Sequence, residues 1–174
     1  IKMAKTMKIG LYIDGENIPY QFYNKLLENI EKLNGKIIFK KLYCDFGMLG
    51  INGTYNDVKN YCLKNNIKQI QVINNSGKNS SDNVIQFEIM KELKNDIVDV
   101  YIVATGDYDF INIINEIHEN GKEVIGIGLS NSSSKLLKKC CDKFISLTKI
   151  DKINLSPFQD CLLYTSPSPR DLYR

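Results

Sequence analysis

Four aspartates lie where apolar segments give way to loops or helices. Asp14 closes the segment KIGLYID, and Asp82 joins a polar loop to a helical segment. Asp107 and Asp109 follow the segment VDVYIVATG. Like charges about 4 Å apart repel by roughly 4 kcal/mol at an effective dielectric of about 20, so converging carboxylates favour a bound cation. Oxygen ligands without histidine suit Mg²⁺ or Mn²⁺, which activate water and stabilise charge on a phosphodiester oxygen.

Helix capping is a second explanation for two of these acids. Asp82 and Asp107 each stand at the start of a predicted helix, where aspartate is favoured as an N-cap and beside the helix dipole. Capping does not account for Asp14 or Asp109, nor for the segment DGEN directly after a buried strand. On spacing alone, both explanations stay open.

Hydrophobic periodicity predicts the elements that position these acids. Short apolar or alternating runs predict strands over 8–14, 36–46, 67–74, 98–106, 122–130 and 143–147. Helical spacing predicts helices over 18–35, 55–66, 82–95, 108–120 and 132–141. Glycine and polar clusters predict loops over 47–54 and 75–81.

The alternation of strands and helices predicts an α/β fold with a mainly parallel sheet that is covered on both faces. Functional groups in such folds gather beyond the carboxyl ends of the strands, at the topological switch point. If the first and fourth strands are neighbours, the four aspartates line one cleft.

Composition limits the class of protein. A chain of 174 residues suits one domain, and 43% hydrophobic with 25% charged residues is typical of a globular protein. No apolar run approaches the roughly 20 residues that cross a bilayer, and a signal-peptide layout is missing, so we expect a cytoplasmic protein without membrane contact. Five cysteines without CxxC spacing and a single histidine do not make a typical zinc site. The net charge of +3 is compatible with nucleic acid but is no evidence for it.

The last stretch of the chain differs from everything before it. Both arginines and three of the four prolines lie at or beyond Pro157. Residues 161–171 resemble a translated sequencing adapter, and we treat 161–174 as a read-through segment outside the fold. We therefore expect one domain over 8–147, the start of a linker over 148–160, and a natural chain that begins at Met3 or Met7 and continues past Asp160.

Four segments together resemble the NYN domain, in the LabA-like branch of the PIN-like ribonuclease superfamily. They are LYIDGENI (11–18), SSDNVIQFEIMKEL (80–93), VATGDYDFINIINEIHENGKEVIGIG (103–128) and SSSKLLKKCCDKFISL (132–147). The resemblance implies a three-layer α/β/α Rossmann-like (PIN-like) fold. It also implies a nuclease site that depends on Mg²⁺ or Mn²⁺ and acts on RNA.

The matching motifs assign catalytic and metal-binding roles to individual residues. Asp14, Asp82, Asp107 and Asp109 are implied as metal ligands. Asn17 matches the asparagine of the first motif, and we expect it to orient a water or a phosphate.

Four further residues are candidates for RNA binding. Tyr108 stands where the family motif has serine, and either stacks a base or packs. Lys78 lies near the basic position expected before Asp82. Lys135 and Lys138 contact the phosphate backbone if their helix borders the cleft, and otherwise form a solvated helix face.

Three functions stay open. The first is a metal-dependent endoribonuclease that acts on single-stranded or structured RNA, and the second is a non-catalytic RNA-binding or regulatory PIN-like domain. The third is a doubly wound small-molecule or phosphate-binding protein, which is disfavoured because neither G-x-G-x-x-G nor G-x-x-x-x-G-K-[ST] follows the first strand. A second copy of the chain and a C-terminal RNA-binding module after Asp160 are further partners to consider.

Overall fold

Strands and helices alternate along the chain. A computed structural model describes residues 3–51, 53–73 and 80–148. The strands are β1 (Lys8–Asp14), β2 (Lys36–Cys44), β3 (Lys68–Gln71), β4 (Val100–Ala104), β5 (Glu123–Leu129) and β6 (Lys143–Leu147). The helices are α1 (Tyr23–Glu31), α2 (Phe46–Ile51), α3 (Tyr55–Lys64), α4 (Ser80–Asn95), α5 (Ile111–Glu119) and α6 (Lys135–Cys140). Short 3₁₀ turns at Tyr20–Phe22 and Tyr108–Phe110 precede α1 and α5.

The strands form one parallel sheet in the order β3-β2-β1-β4-β5-β6. The chain winds outward from β1 in one direction and then outward from β4 in the other. The topological switch point therefore lies between β1 and β4, which pair as far as Ile13 and Ala104. The predicted three-layer α/β/α fold is confirmed, and the first and fourth strands are neighbours, which was the condition for the acids to converge.

A hydrophobic core covers each face of the sheet. Ile9, Leu11 and Ile13 of β1 pack into the core that contains α1 and α3. Tyr12, on the opposite face of the same strand, packs into the core that contains α4, α5 and α6. Successive side chains of a strand point to opposite faces, so a strand covered on both sides reads as one apolar run. This is why KIGLYID shows no polar alternation.

The prediction of a loop over 47–54 is wrong, because most of this segment belongs to α2. Phe46 is buried in the core at the start of this helix. The Asp45 Oδ1 atom accepts hydrogen bonds from the backbone N–H groups of Gly47 (3.1 Å) and Met48 (3.4 Å). A capped first turn and a buried anchor outweigh the low helix propensity of two glycines.

Four helices have different starts from those predicted. Those expected from residues 108 and 132 begin at Ile111, after a 3₁₀ turn, and at Lys135. The helix expected from residue 18 begins with a 3₁₀ turn at Tyr20, directly after Pro19, and α1 proper starts at Tyr23. The helix expected from residue 82 starts at Ser80, which places Asp82 inside its first turn. Among the described residues, no helix is long and apolar enough to cross a membrane. The predicted linker beyond Thr148, the segment 161–174 and Lys78 all lie outside the described residues.

Asp99 links the amino ends of β1 and β4. This edge of the sheet lies opposite the carboxyl ends of the strands. Its Oδ2 atom accepts a hydrogen bond from the backbone N–H of Lys8 at 2.9 Å, and its Oδ1 atom lies 3.6 Å from Nζ of Lys122. The Lys8 N–H lowers the pKa of Asp99 below its ordinary value; desolvation opposes this, and the charges of Lys5 and Lys122 add to the lowering. The ionised carboxylate is therefore the form that stabilises the fold.

We expect Asp99→Asn to lower the free energy of unfolding by about 1–2 kcal/mol at pH 7, because the Lys8 N–H then donates to a neutral acceptor in place of a charged one. The pKa is lower in the folded state, so this stabilisation is present above the unfolded-state value of 3.8 and disappears as the pH falls through the folded-state value. Thermal unfolding of wild type and variant between pH 7 and pH 3 should show curves that converge in acid. Asp57→Asn, an exposed change on α3, is the control, and a difference that does not vary with pH would contradict the prediction.

Candidate active site

The predicted acids gather beyond the carboxyl ends of β1 and β4. Asp14 is the last residue of β1, and Asp107 follows the end of β4 after the short segment Thr105–Gly106. Helix α4 contacts the 3₁₀ turn that follows β4, and its first turn carries Asp82 to the same place. Three separate segments of the chain thus deliver acids to the switch point.

Asp82, Asp107 and Asp109 form one cluster, in which one carboxylate oxygen of each lies within 4.8 Å of the others. Asp82 is only 4% exposed, whereas Asp107 is half-buried and Asp109 is exposed. At this separation each pair repels by roughly 3 kcal/mol at an effective dielectric of about 20, so the cluster is favoured when a cation is bound. The donor set is oxygen only and open on one side, which fits a hard divalent cation that keeps part of its water shell.

Asp14 lies beside this cluster and is not one of its three members. Its side chain is 0% exposed. Oδ1 accepts hydrogen bonds from Ser81 Oγ at 3.0 Å and from the Glu16 N–H at 3.2 Å. Oδ2 accepts hydrogen bonds from Asn17 Nδ2 at 2.6 Å and from Thr105 Oγ1 at 3.0 Å. Burial raises the pKa of Asp14 above its ordinary value, and these four hydrogen bonds oppose the rise.

The turn after β4 caps a helix and supplies the cluster at the same time. The Asp107 N–H donates to Thr105 Oγ1 at 3.2 Å, and Asp107 Oδ1 accepts from the Asp109 N–H at 3.0 Å. Asp107 is thereby the N-cap of the 3₁₀ turn Tyr108–Phe110. The capping explanation therefore holds for this residue, and the same carboxylate also belongs to the acidic cluster. Asp82, within the first turn of α4, lies beside the positive end of that helix dipole.

Close packing between two loops holds the turn in place. The Ser134 N–H donates to the carbonyl of Gly106 at 3.0 Å. A Cβ atom at Gly128 would lie 2.4 Å from Ser133 Oγ and 2.6 Å from the Thr105 carbonyl oxygen. The loop after β5 can approach the turn after β4 this closely only because residue 128 lacks a side chain.

The family model of the NYN domain matches residues 8–151 of this chain. The chain belongs to the NYN domain family. NYN domains are part of a PIN-like nuclease superfamily and generally act on RNA. The match identifies the NYN domain family but no branch within it, so the LabA-like assignment stays a prediction.

One solved structure similar to this NYN domain is the crystal structure of a protein of unknown function from Vibrio parahaemolyticus RIMD 2210633. The two have a TM-score of 0.65 and 19% sequence identity, over 87% of this chain and 98% of that chain. At this identity the likeness shows the fold alone. A comparison with curated proteins gives no match.

The remaining residues of the NYN motifs lie around the acids. Asn17 is half-buried and donates to Asp14, as described above. Tyr108 lies between Asp107 and Asp109 along the turn and is 63% exposed. Its ring is therefore exposed to solvent and is not part of either core.

Helix α6 contacts the same 3₁₀ turn, so it borders the NYN cleft. Lys135, its first residue, is exposed. Lys138 is half-buried, with Nζ 3.5 Å from the Ser130 carbonyl oxygen and 5.6 Å from the centre of the Phe144 ring. The Lys138 ammonium is thus engaged by the loop carbonyl of Ser130 and by Phe144 of β6, whereas Lys135 is exposed.

Sequence reasoning missed two residues of the site. Ser81 is fully buried and donates to Asp14; its only signal in the sequence is its position directly before Asp82. Glu16 lies within DGEN and is exposed next to Asp14. Desolvation raises the pKa of Glu16, the nearby Ser81 hydroxyl lowers it, and the charges of Asp14 and Asp45 raise it further. Glu16 adds a further carboxylate at the edge of the cleft.

We expect Gly128→Ala to lower the free energy of unfolding by about 1–3 kcal/mol, as is typical of overpacking, because the new Cβ meets backbone as well as Ser133. Gly50→Ala is the matched control, since a Cβ there meets nothing within 4 Å and the residue lies in α2. That change should leave stability unchanged or raise it by up to about 1 kcal/mol. Urea denaturation of both variants measures the difference, and equal stabilities would contradict the packing described here.

We expect Mn²⁺ at about 100 times its dissociation constant to stabilise the folded chain by about 2.7 kcal/mol, because only the folded state assembles the cluster. Asp109→Asn should remove most of this stabilisation while leaving the stability in EDTA unchanged or slightly higher, since one repulsive charge is lost. Differential scanning fluorimetry with a Mn²⁺ titration tests both parts. A variant that responds to Mn²⁺ as wild type does would exclude Asp109 as a ligand.

Proposed function

We propose that this NYN domain is a metal-dependent endoribonuclease that hydrolyses RNA phosphodiester bonds with Mg²⁺ or Mn²⁺. The observation that carries the proposal is the convergence of Asp82, Asp107 and Asp109 at the switch point of a PIN-like fold. Mutually repelling carboxylates at an open cleft are costly for stability alone, and they become useful when a hard cation and a phosphodiester occupy the cleft.

Asp82, Asp107 and Asp109 would hold the metal. When bound, such an ion lowers the pKa of a water ligand and offsets the charge that develops on the phosphodiester oxygens. The protein contributes a fixed arrangement of ligands, because Asp107 is tied to Thr105 and to the Asp109 backbone. Preorganised charge of this kind needs no rearrangement during the reaction.

The groups around the cluster account for recognition of RNA. The exposed ring of Tyr108 is proposed to stack on an unpaired base, which favours single-stranded RNA over a duplex. Lys135 is proposed to contact a phosphate, with Lys138 and Lys78 as secondary positions. Asn17 is proposed to orient a water or a phosphate through its amide. The cytoplasmic location, a homodimer and a C-terminal RNA-binding module stay predictions from the sequence.

The first test is cleavage of a circular single-stranded RNA by the full chain with Mn²⁺, with Mg²⁺ and with EDTA. Only an endonuclease opens a circle, so the substrate separates internal cleavage from trimming at ends. We expect cleavage with either metal and none with EDTA. Asp107→Asn should lower the rate by more than about 100-fold, since it removes several kcal/mol of charge stabilisation.

Asp57→Asn is the matched control, because it makes the same change on α3, on the opposite face of the sheet from α4. Its rate should equal that of wild type. Binding of the RNA without cleavage in any metal would favour the non-catalytic RNA-binding domain. Cleavage that persists in Asp107→Asn would point to a contaminating nuclease and overturn the proposal.

A further inference from the structure

The geometry points to Asp14 as a positioning residue, which places two metal ligands through Ser81 and Thr105 and is not itself a ligand. This inference rests on the proposed function, since it concerns the same cleft. It changes the role that the family resemblance implies for Asp14.

The carboxylate of Asp14 is saturated with donors. A carboxylate has two oxygens and about four lone-pair directions in all. Two donors reach each oxygen, at 3.0 and 3.2 Å for Oδ1 and at 2.6 and 3.0 Å for Oδ2. A metal could bind Asp14 only if one of these hydrogen bonds were broken. The side chain is also 0% exposed, whereas the cluster opens to solvent at Asp109.

The two hydroxyl donors belong to the segments that carry the metal ligands. Ser81 directly precedes Asp82 in the first turn of α4, and its hydroxyl is bonded to Asp14 Oδ1. Thr105 Oγ1 donates to Asp14 Oδ2 and accepts from the N–H of Asp107. Two short chains of contacts therefore run from Asp14, one to Asp82 and the other to Asp107.

Thr105 is the better position at which to test this role. Its hydroxyl makes one hydrogen bond to Asp14 and one to the Asp107 N–H, so it links the positions of these two residues. Thr105 has no carboxylate that could itself bind the metal. The residue is buried, with 1% exposure, and valine matches its shape without the hydroxyl. Thr105→Ser keeps the hydroxyl and serves as the conservative control.

The experiment measures Mn²⁺ affinity by isothermal titration calorimetry for the full chain and its variants. We expect Thr105→Val to weaken Mn²⁺ binding by about 10- to 100-fold, the usual effect of losing a group that orients a ligand, and Thr105→Ser to stay within about 3-fold of wild type. Asp14→Asn should weaken binding to a similar extent. The double variant Asp14→Asn/Thr105→Val should be no weaker than either single one, because both changes break the same chain of contacts. Asp107→Asn supplies the reference for loss of a direct ligand.

A second measurement tests the inference without relying on Mn²⁺ binding. Unfolding by urea in EDTA should show non-additive losses for Asp14→Asn and Thr105→Val, independent of any metal. If Asp14→Asn does not fold, Ser81→Ala and Thr105→Val carry the test, and each should weaken Mn²⁺ binding while its fold is retained.

Three results would overturn the inference. Wild-type affinity in Thr105→Val, or losses that multiply in the double variant, would show that Asp14 does not act through Thr105. Additive losses of stability in EDTA would show that the two residues are not coupled. By contrast, a wild-type chain that binds no Mn²⁺ overturns the proposed function, and the urea measurement then decides the link between Asp14 and Thr105 alone.

Discussion

A single buried carboxylate, that of Asp14, holds the carboxyl edge of the sheet together. It accepts hydrogen bonds from its own loop, from Ser81 at a distance of 67 residues along the chain, and from Thr105 at a distance of 91. Burying an ionised group without partners costs several kcal/mol, so the fold is stable only when these segments present their donors together. The start of α4 and the turn after β4 are thus fixed relative to β1 by the hydrogen bonds to one buried carboxyl group.

The site combines this stabilised charge with three that repel one another. The hydrogen bonds to Asp14 offset part of its desolvation, whereas the carboxylates of Asp82, Asp107 and Asp109 repel one another until a cation binds. The rest of the fold offsets that repulsion. Both faces of β1 are buried, and Asp99 ties the opposite edge of the sheet to the backbone of Lys8. Functional sites commonly keep such locally unfavourable arrangements within a stable scaffold.

Features set by neighbouring residues of the chain were easier to predict than features set by contacts with distant residues. The bounds of β1 and β6 could be predicted to the residue, because an apolar run between polar residues is visible in a short window. Helix α2 could not be predicted, because its two glycines signal a loop while Phe46 is held by the distant core. The start of α4 was misplaced by two residues, which hid Ser81 inside what read as a loop.

From the sequence alone follow the order of strands and helices, the parallel sheet and the set of acids at its carboxyl edge. All of these depend on periodicity and on motifs that are contiguous in the chain. The tertiary structure alone decided what surrounds each acid. It brought Asp82, Asp107 and Asp109 within 4.8 Å of one another and turned Asp14 towards four donors. Spacing cannot distinguish these two environments, because a carboxylate that faces hydroxyl groups and one that faces other carboxylates differ only in partners distant along the chain.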